Sequence, residues 1–408
     1  MRNHLHSETM IRQTGPQVHM PCLEFAECKC RKERIMLRYV LVLLLAGSSS
    51  FAKAQEVRRD KDKEAGIHYY GKESFLIEGT TIPDSLKESP YDRLPISYKN
   101  KVRTPVWELS KASAGISVRF LSNSTTIKVK WELLNNARMN HMAETGIKGI
   151  DLYCRVDDRW QYVNTARPSG KENEALLINN MSSEIREYKM FLPLYDGVTK
   201  LEIGIDTLRK IEKPARIDRR PIVFYGTSIT QGGCASRPGM AYTNIISRKL
   251  NVECVNYGFS GNGRMESAIA ELLSEIDASF FVIDCLPNML SPEIRKNAIP
   301  LVEIIRSKHP ATPIVFVEGL LQERSFLDDT TKSRLDEKNR VLRSEYDKML
   351  EKGFTNIFYF DGKGALGDDH EGTVDGVHFT DLGFIRFADY LISKFEQNQL
   401  IVTTSSKN

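Results

Sequence analysis

Five short apolar runs, separated by segments with a helical period, occupy the second half of this chain of 408 residues. Each run has the length and the content of β-branched and aromatic residues that are typical of a buried strand. Strands that alternate with helices in this way form one parallel sheet with helices on both faces and right-handed crossovers. We therefore predict a flavodoxin-like, three-layer α/β domain with strand order 2-1-3-4-5. The predicted strands cover residues 222–225, 252–256, 280–283, 314–317 and 357–360.

The segment before this domain has a different period. Apolar residues alternate with polar ones, as in Ile116, Val118 and Phe120, and turn residues separate the alternating stretches. One-sided alternation of this kind predicts antiparallel strands that bury one face. No helical period interrupts it, so we expect an all-β, jelly-roll-like sandwich over residues 65–212 and the α/β domain over residues 213–398. The other alternating stretches are 127–133, 152–156, 188–194 and 201–205.

The one strongly apolar run, residues 39–46, is far too short to span a bilayer. A basic residue precedes it, and Ala52-Lys-Ala54 follows it. A basic start, a short apolar core and an A-x-A site predict a secretory signal, cut before Gln55. Met36 stands where such a signal would begin, so we interpret residues 1–54 as leader and signal peptide. We expect a secreted or periplasmic protein with no membrane span after cleavage.

Charge and cysteine content exclude several classes of protein. The formal net charge is +4, and no basic stripe is interleaved with aromatic residues, so nucleic acid is not an expected partner. Seven cysteines are too few for a disulfide scaffold in a chain of this length. The leader contains potential zinc ligands, but their spacing matches no zinc motif. These leader residues are His19, Cys22, Cys28 and Cys30.

Polar or glycine-containing turns follow four of the five predicted strands. Ser228 follows the first strand, residues 258–263 the second, Asn288 the third, and the pair Asp375 and His378 the fifth. The carboxyl ends of parallel strands lie at one edge of the sheet, where ligands bind in this class of fold. All four turns should therefore face the same crevice.

These residue types can perform acyl transfer. A serine hydroxyl needs an adjacent base, which His378 can supply, and the base needs a carboxylate such as Asp375 to fix its tautomer. A tetrahedral intermediate also needs hydrogen-bond donors for its oxyanion. The backbone N–H groups of Ser228 and Gly261 and the side-chain amide of Asn288 are the candidates. No metal-ligand cluster is expected.

This combination resembles the SGNH, or GDSL-like, hydrolase family over about residues 221–395. Gly226-Thr-Ser228 stands where that family has Gly-Asp-Ser, Gly261 and Asn288 match its second and third blocks, and Asp375-x-x-His378 matches the last. The resemblance implies a triad of Ser228, His378 and Asp375, the oxyanion donors named above, and ester hydrolysis without metal or cofactor. The sequence departs from the family pattern at Thr227 and at Leu286-Pro287, which stand in place of an aspartate and of glycines.

The β-rich segment resembles the N-terminal domain of a secreted bacterial branch of the same family. Gly149-Ile-Asp-Leu-Tyr153 is similar to the Gly-x-Asp-Leu-Tyr signature of that domain.

Two other protein classes fit the sequence less well. An α/β-hydrolase would have glycine where Thr230 stands, and its acid and histidine would be far apart in the chain. A dinucleotide-binding reading of residues 258–263 fails on spacing.

The sequence leaves the substrate open. An acetylated carbohydrate or another small acetyl ester is our prediction, because Leu286, Pro287 and Met289 should crowd the pocket. The alternatives are a lipid or thioester hydrolase and a non-catalytic glycan-binding protein. A thiol nucleophile at Cys285 is a further possibility, although a structural role is commoner for a buried cysteine. His141 and Tyr153 lie near the Gly-x-Asp-Leu-Tyr signature and could reach the active site, but a solvated or core role is expected for both. The oligomeric state is not indicated.

Overall fold

The computed structural model describes residues 66–320 and 322–401. The predicted signal peptide and leader therefore lie outside the described residues. The described residues form two modules that belong to one compact unit. Within them, we find no helix with the length and apolar character needed to cross a membrane.

The N-terminal module consists of two antiparallel sheets that face each other. One sheet has the strand order β1-β9-β4-β7, and the other has the order β10-β3-β8-β5-β6, with β2 paired to β3. The strands are β1 (Ile67–Tyr70), β2 (Leu76–Glu78), β3 (Ser117–Ser122), β4 (Ile127–Leu133), β5 (Ile150–Val156), β6 (Arg159–Ala166), β7 (Glu172–Ile178), β8 (Arg186–Phe191), β9 (Val198–Asp206) and β10 (Ile211–Glu212).

The strand order confirms the predicted jelly roll. The four strands of the first sheet, in the order 1-9-4-7, and the four central strands of the six-stranded second sheet, in the order 3-8-5-6, contain the paired Greek keys of that fold. β4 alternates buried and partly exposed residues along its whole length, as the period of two predicts. Its buried residues, which include Val129 and Trp131, share one core with Phe120 of β3 and Met190 of β8, so side chains of both sheets fill the space between them.

The prediction of an uninterrupted all-β module is wrong in two places. A six-residue helix, α1 (Thr104–Leu109), and a five-residue helix, α2 (Glu144–Lys148), lie between strands. Each has fewer than two helical turns, so neither can show a clear helical period. Strands β6 and β7 were not predicted. β6 has mostly exposed or partly exposed residues, so the apolar alternation that marks a strand is weak there.

The second module contains a parallel sheet whose order, β12-β11-β13-β14-β15, confirms the predicted 2-1-3-4-5 arrangement. Gly226, the last residue of β11, is in register with Gly258 of β12 and with Asp284 of β13. Three neighbouring strands therefore end at the same level, and the turns that follow them lie side by side. The strands are β11 (Ile222–Gly226), β12 (Cys254–Gly258), β13 (Phe280–Asp284), β14 (Ile314–Val317) and β15 (Ile357–Phe360).

Helices cover both faces of this sheet. Val223 and Tyr225 pack into a core with α5, α6 and α7, whereas Ile222 and Phe224 pack into a second core with α4 and α8, as the alternation of side chains along a strand requires. The helices are α3 (Ser228–Gln231), α4 (Tyr242–Leu250), α5 (Ser267–Ser274), α6 (Ser291–Arg306), α7 (Asp329–Glu351) and α8 (Asp381–Gln397). Short 3-10 turns lie at Lys72–Ser74, Asp84–Leu86, Ile96–Tyr98, Pro238–Met240, Leu286–Asn288 and Glu323–Phe326.

Candidate active site

Ser228 is the first residue of α3, immediately after the turn that ends β11. Thr227 caps this helix, because its side-chain oxygen accepts the N–H of Ile229 at 3.3 Å. The threonine can therefore do the capping that an aspartate could do at this position. Gly226 permits the tight turn, since a Cβ there would lie 2.0 Å from Oγ1 of Thr230. The turn leaves Ser228 7% exposed, so the serine has a defined position beneath the surface.

His378 and Asp375 lie in the loop between β15 and α8. Oδ1 of Asp375 accepts the N–H groups of Val377 at 3.0 Å and His378 at 2.8 Å. Oδ2 of the same carboxylate lies 2.7 Å from Nδ1 of His378, and Nε2 of that ring lies 2.9 Å from Oγ of Ser228. With Nδ1 donating to the carboxylate, Nε2 carries the lone pair that accepts the serine proton. The structure thus brings together the three residues that the sequence predicts as a triad.

The surroundings of Asp375 favour its ionised form. Partial burial opposes ionisation, but the hydrogen bonds from the backbone N–H and the imidazole of His378 outweigh it and lower the pKa of Asp375 below its ordinary value. A charged carboxylate can stabilise an imidazolium at His378.

The two other predicted oxyanion donors lie in the turns after the strands that flank β11. Gly261 has a φ of +70°, which favours glycine. A Cβ at this position would have no atom within 4 Å, so the space beside the Gly261 backbone is open. Asn262 and Gly263 both donate to the carbonyl oxygen of Phe259, and the N–H of Gly261 takes no part in these bonds. Oδ1 of Asn288 lies 3.4 Å from the N–H of Gly263. This contact orients the amide and leaves its NH₂ group as a donor.

A buried carboxyl group beneath α3 was not predicted. Asp284, the last residue of β13, accepts hydrogen bonds from the hydroxyl groups of Thr230 at 3.0 Å and Tyr242 at 3.2 Å. It has no basic partner within salt-bridge distance among the described residues, and burial raises its pKa to about 7. The sequence of β13 alone could not predict a buried, hydrogen-bonded carboxyl group at Asp284. Both hydroxyl donors come from other elements of the chain.

The Gly-x-Asp-Leu-Tyr segment of β5 holds a loop of the second module. The carboxylate of Asp151 accepts hydrogen bonds from the Arg237 guanidinium and the N–H of Gly239, both at 2.7 Å, and from the Thr165 hydroxyl at 2.6 Å. The Tyr153 hydroxyl accepts a second hydrogen bond from Arg237 at 2.6 Å. The segment therefore fixes the loop over residues 232–241, which runs from α3 past the candidate site to α4.

Two further residues of the N-terminal module contact the candidate site or a strand that carries one of its turns. The ring of His141 lies 5.6 Å, centroid to centroid, from the ring of His378, so the less favoured alternative, a position at the site, holds for His141. Arg93 is buried, and its guanidinium donates to the carbonyl oxygens of Asn256 at 3.2 Å and Gly258 at 2.6 Å. Arg93 thereby supplies hydrogen bonds to the carbonyl oxygens at the end of β12, where the turn that contains Gly261 begins.

His141, Cys234 and His378 form a group of potential metal ligands. One donor atom from each lies within 4.8 Å of the other two. The sequence analysis did not identify this group, because its residues come from three loops that are far apart in the chain. The Cys234 thiol itself is a poor nucleophile, since burial and the nearby Asp375 carboxylate raise its pKa to about 12.

Cys285 does not face the site. It is fully buried, its thiol lies 3.5 Å from the carbonyl oxygen of Tyr225, and burial raises its pKa well above the ordinary value. This environment disfavours the thiol-nucleophile alternative. The cysteines of the described residues are all buried and unpaired: Cys154, Cys234, Cys254 and Cys285.

A cavity of about 230 Å³ in the second module is lined by sequence neighbours of three predicted site residues, although not by those residues themselves. Ile229, Pro287 and Val377 line it, and each is next in sequence to Ser228, Asn288 or His378. Its polar side chains include Arg334 and Lys338 of α7. Met289 belongs instead to the hydrophobic core, so it does not narrow the cavity as the sequence suggested.

The fold and the site together define an ester-bond hydrolase with a parallel α/β domain. The family model described as GDSL-like lipase/acylhydrolase matches residues 219–396, and the model for the N-terminus of SGNH-hydrolase-type esterases matches residues 67–211. The chain belongs to the GDSL-like lipase/acylhydrolase family. A solved structure described as a GDSL-like lipase, from Bacteroides ovatus ATCC 8483, is 34% identical, covers 83% of this chain and 100% of its own, and has a TM-score of 0.80.

More distant solved structures share the fold. The salicylyl-acyltransferase SsfX3 from a tetracycline biosynthetic pathway is 15% identical, with 82% of this chain and 98% of its own covered and a TM-score of 0.67. A family two carbohydrate esterase from Clostridium thermocellum, in complex with cellohexaose, is 13% identical, with 70% and 93% covered and a TM-score of 0.52. At these identities the likeness concerns the fold alone.

Proposed function

We propose that this protein is an exported serine esterase that removes acetyl groups from a carbohydrate or another small ester. The observation that carries the proposal is the continuous series of hydrogen bonds from Ser228 through His378 to Asp375, at 2.9 and 2.7 Å. A buried serine bonded to an imidazole that is itself oriented by a carboxylate is the arrangement that activates a hydroxyl as a nucleophile.

The proposed reaction has two stages. Oγ of Ser228 attacks the ester carbonyl carbon while Nε2 of His378 takes the hydroxyl proton, and the imidazolium is stabilised by Asp375. The C–O bond to the alcohol then breaks, and His378 returns its proton to the departing alkoxide, which leaves an acyl-serine. In the second stage, water gives a proton to His378 and attacks the acyl carbon. Collapse of this second intermediate returns the proton to Oγ and releases the carboxylic acid.

The oxyanion of each tetrahedral intermediate needs donors at the edge of the sheet. The backbone N–H of Ser228, the N–H of Gly261 and the amide of Asn288 would supply them. Two features support this assignment. The Gly261 N–H takes no part in the hydrogen bonds of its own turn, and Asn288 uses its oxygen for Gly263, which leaves its NH₂ group available.

The substrate class is supported by the cavity and by the carbohydrate esterases among the proteins of similar fold. The lining of the cavity combines apolar side chains with the polar side chains of Gln322, Thr331, Arg334 and Lys338. Such a lining suits an alcohol that carries hydroxyl groups better than a long alkyl chain. Leu286 and Pro287, which precede Asn288 in the sequence, line the cavity, and we expect their bulk to favour a short acyl group.

The test compares acetyl, butyryl, hexanoyl and octanoyl esters of one chromogenic alcohol, together with acetylated and deacetylated oligosaccharides. We expect the highest kcat/KM for acetyl esters and release of acetate from the oligosaccharides. Ser228→Ala should abolish both activities, whereas Ser267→Ala, at the exposed start of α5, should not. A steady rise in kcat/KM from acetyl to octanoyl would favour the lipid hydrolase alternative. Binding of oligosaccharides without hydrolysis would favour the glycan-binding alternative.

Export rests on the basic, apolar and A-x-A segments before Gln55. Expression with the native N-terminus in a bacterium with a secretory pathway should yield a mature chain that begins at Gln55. The check is N-terminal sequencing of the extracytoplasmic fraction. A protein recovered there with residues 1–34 still attached would contradict the leader interpretation.

A further inference from the structure

Three loops bring His141, Cys234 and His378 together next to Ser228. His141 precedes α2 in the N-terminal module, Cys234 follows α3, and His378 precedes α8. One donor atom of each residue lies within 4.8 Å of the other two. Two imidazoles and a thiol are ligands that zinc prefers. The proposed catalytic mechanism uses only one of the three residues.

Both histidines are oriented as metal-binding histidines usually are. Nδ1 of His378 bonds to the Asp375 carboxylate at 2.7 Å, and a carboxylate behind a ligating histidine fixes the ring and raises its basicity. Nδ1 of His141 lies 3.0 Å from the side-chain oxygen of Asn140, so a proton on Nδ1 leaves Nε2 with a free lone pair. Each ring therefore has a nitrogen available for a cation.

Cys234 occupies its position through an unusual backbone conformation. Its φ is +73°, in the left-handed region that side chains other than those of glycine, asparagine and aspartate rarely adopt. The turn holds it there, since the N–H of Gly233 donates to the carbonyl oxygen of Ser228 at 2.7 Å and that of Ala235 to Gly232 at 3.1 Å. Strain of this kind is concentrated at functional sites. The thiol is buried, unpaired and adjacent to His378.

We propose that His141, Cys234 and His378 bind one Zn²⁺ ion reversibly and that the bound ion inhibits the esterase. The fourth ligand would be water or Oγ of Ser228, and the thiol proton of Cys234 would leave to solvent as the thiolate bonds to zinc. Zinc bonds of about 2.0–2.3 Å place tetrahedral ligands roughly 3.3–3.7 Å apart. The three donor atoms would have to approach one another by about 1 Å, which rotation of the partly exposed His141 side chain can supply.

Inhibition is expected because zinc binding and catalysis both need the lone pair on Nε2 of His378. A zinc ion on Nε2 of His378 prevents that nitrogen from taking the proton of Ser228. This consequence rests on the proposed function, whereas metal binding by the three residues does not. Because His141 belongs to the N-terminal module, the zinc site would also require both modules.

The binding test uses the exported protein, freed of metal with a chelator and titrated with Co²⁺, which reports a thiolate ligand through an ultraviolet charge-transfer band. We expect the band in wild type, its displacement by Zn²⁺, and its loss in Cys234→Gly. Glycine suits the φ at this position, so the loss would not reflect an unfolded loop. His141→Ala should weaken binding by roughly 100-fold or more, since even indirect supports of a ligand are worth 10- to 100-fold.

Matched controls are Cys154→Ser and His68→Ala, which remove the same side-chain types elsewhere in the N-terminal module and should keep the band. Absence of the band in wild type, or its persistence in Cys234→Gly, would overturn the site.

The activity test measures the Zn²⁺ concentration for half inhibition, relative to the zinc-free rate of each variant. That concentration should rise by roughly 100-fold in Cys234→Gly. Equal sensitivity of wild type and both ligand variants would overturn the inhibitory role, and cobalt binding by a protein without esterase activity would contradict the proposed function alone.

Discussion

The carboxylate of Asp151, in the jelly-roll module, accepts the backbone N–H of Gly239, in the α/β module, at 2.7 Å. The same carboxylate accepts a hydrogen bond from Arg237, and its side chain is completely buried. The N-terminal module thus holds the loop that carries Cys234 past His378. The Gly-x-Asp-Leu-Tyr segment is therefore a structural support of the candidate active site, as well as a marker of the domain.

Replacement of Asp151 by alanine should destabilise the whole protein. It would leave Arg237, which is largely buried, without its charge partner, and breaking such a pair typically costs about 3–5 kcal/mol. Urea unfolding should show this loss in the free energy of unfolding, together with reduced kcat. The matched control is Asp158→Asn, whose side chain is 92% exposed in the same β5–β6 hairpin and whose φ of +61° asparagine tolerates. An Asp151→Ala protein as stable as this control would show that the loop is held by other contacts.

The α/β module alone should be poorly soluble and poorly active. Part of its hydrophobic core is supplied by the N-terminal module, and Arg93 from that module satisfies the carbonyl oxygens at the end of β12. A fragment of residues 213–408 would expose this apolar surface to water. Size-exclusion chromatography and activity per active site, compared with the mature chain, would test it. A monomeric fragment with full activity would mean that the jelly roll is an independent binding module. The contributed core residues are Leu94, Tyr98, Val106 and Trp107.

The sequence predicted those features that follow from local pattern. Ser228 and Asn288 were recognisable because each polar residue comes directly after an apolar strand, and the parallel topology places such turns at one edge of the sheet. Cys234 and Asp284 were not recognised as part of the site, and a position at the site was only the less favoured alternative for His141. Their partners come from elements that are distant in the chain, and a loop such as the one before α2 has no period from which its path could be deduced.

Asp284→Asn should change how stability depends on pH. The raised pKa of about 7 keeps the buried carboxyl group protonated in the folded protein over a range in which it is ionised in the unfolded chain. The folded state then binds more protons, so this group makes stability fall as pH rises from about 4 to 7, by up to about 1.4 kcal/mol per pH unit. Asparagine keeps an acceptor for Thr230 and Tyr242 but cannot ionise.

The measurement is the free energy of unfolding of wild type and Asp284→Asn in urea at pH 5 and pH 8. The variant should gain stability relative to wild type at pH 8 compared with pH 5. Asp277→Asn, at an exposed position before β13, serves as the control and should show little difference between the two pH values. A pH-independent difference between wild type and Asp284→Asn would mean that the carboxyl group is not protonated in the folded state at pH 5.

The proposed catalytic residues should differ in the size of their effects. Ser228→Ala and His378→Ala should each lower kcat by roughly 10⁴-fold or more, and the double variant should be little worse, because the two residues act as one unit. Asp375→Asn should have a smaller effect than either, since the base remains but its favoured tautomer is lost. Asn288→Ala should lower kcat by roughly 10²- to 10³-fold with little change in KM, because an oxyanion donor acts mainly in the transition state.

Steady-state kinetics on an acetyl ester would measure these values, and Asn297→Ala, on α6, is a control for loss of an asparagine outside the cavity. The decisive quantity is the kcat of the double variant relative to those of the two single variants. If the losses from Ser228→Ala and His378→Ala multiply, the residues act independently and the hydrogen bond of 2.9 Å between them has no catalytic role. If Ser228→Ala keeps wild-type activity, the serine-esterase proposal fails. Removal of metal with a chelator should leave the wild-type rate unchanged or raise it, because zinc on His378 would compete with the reaction.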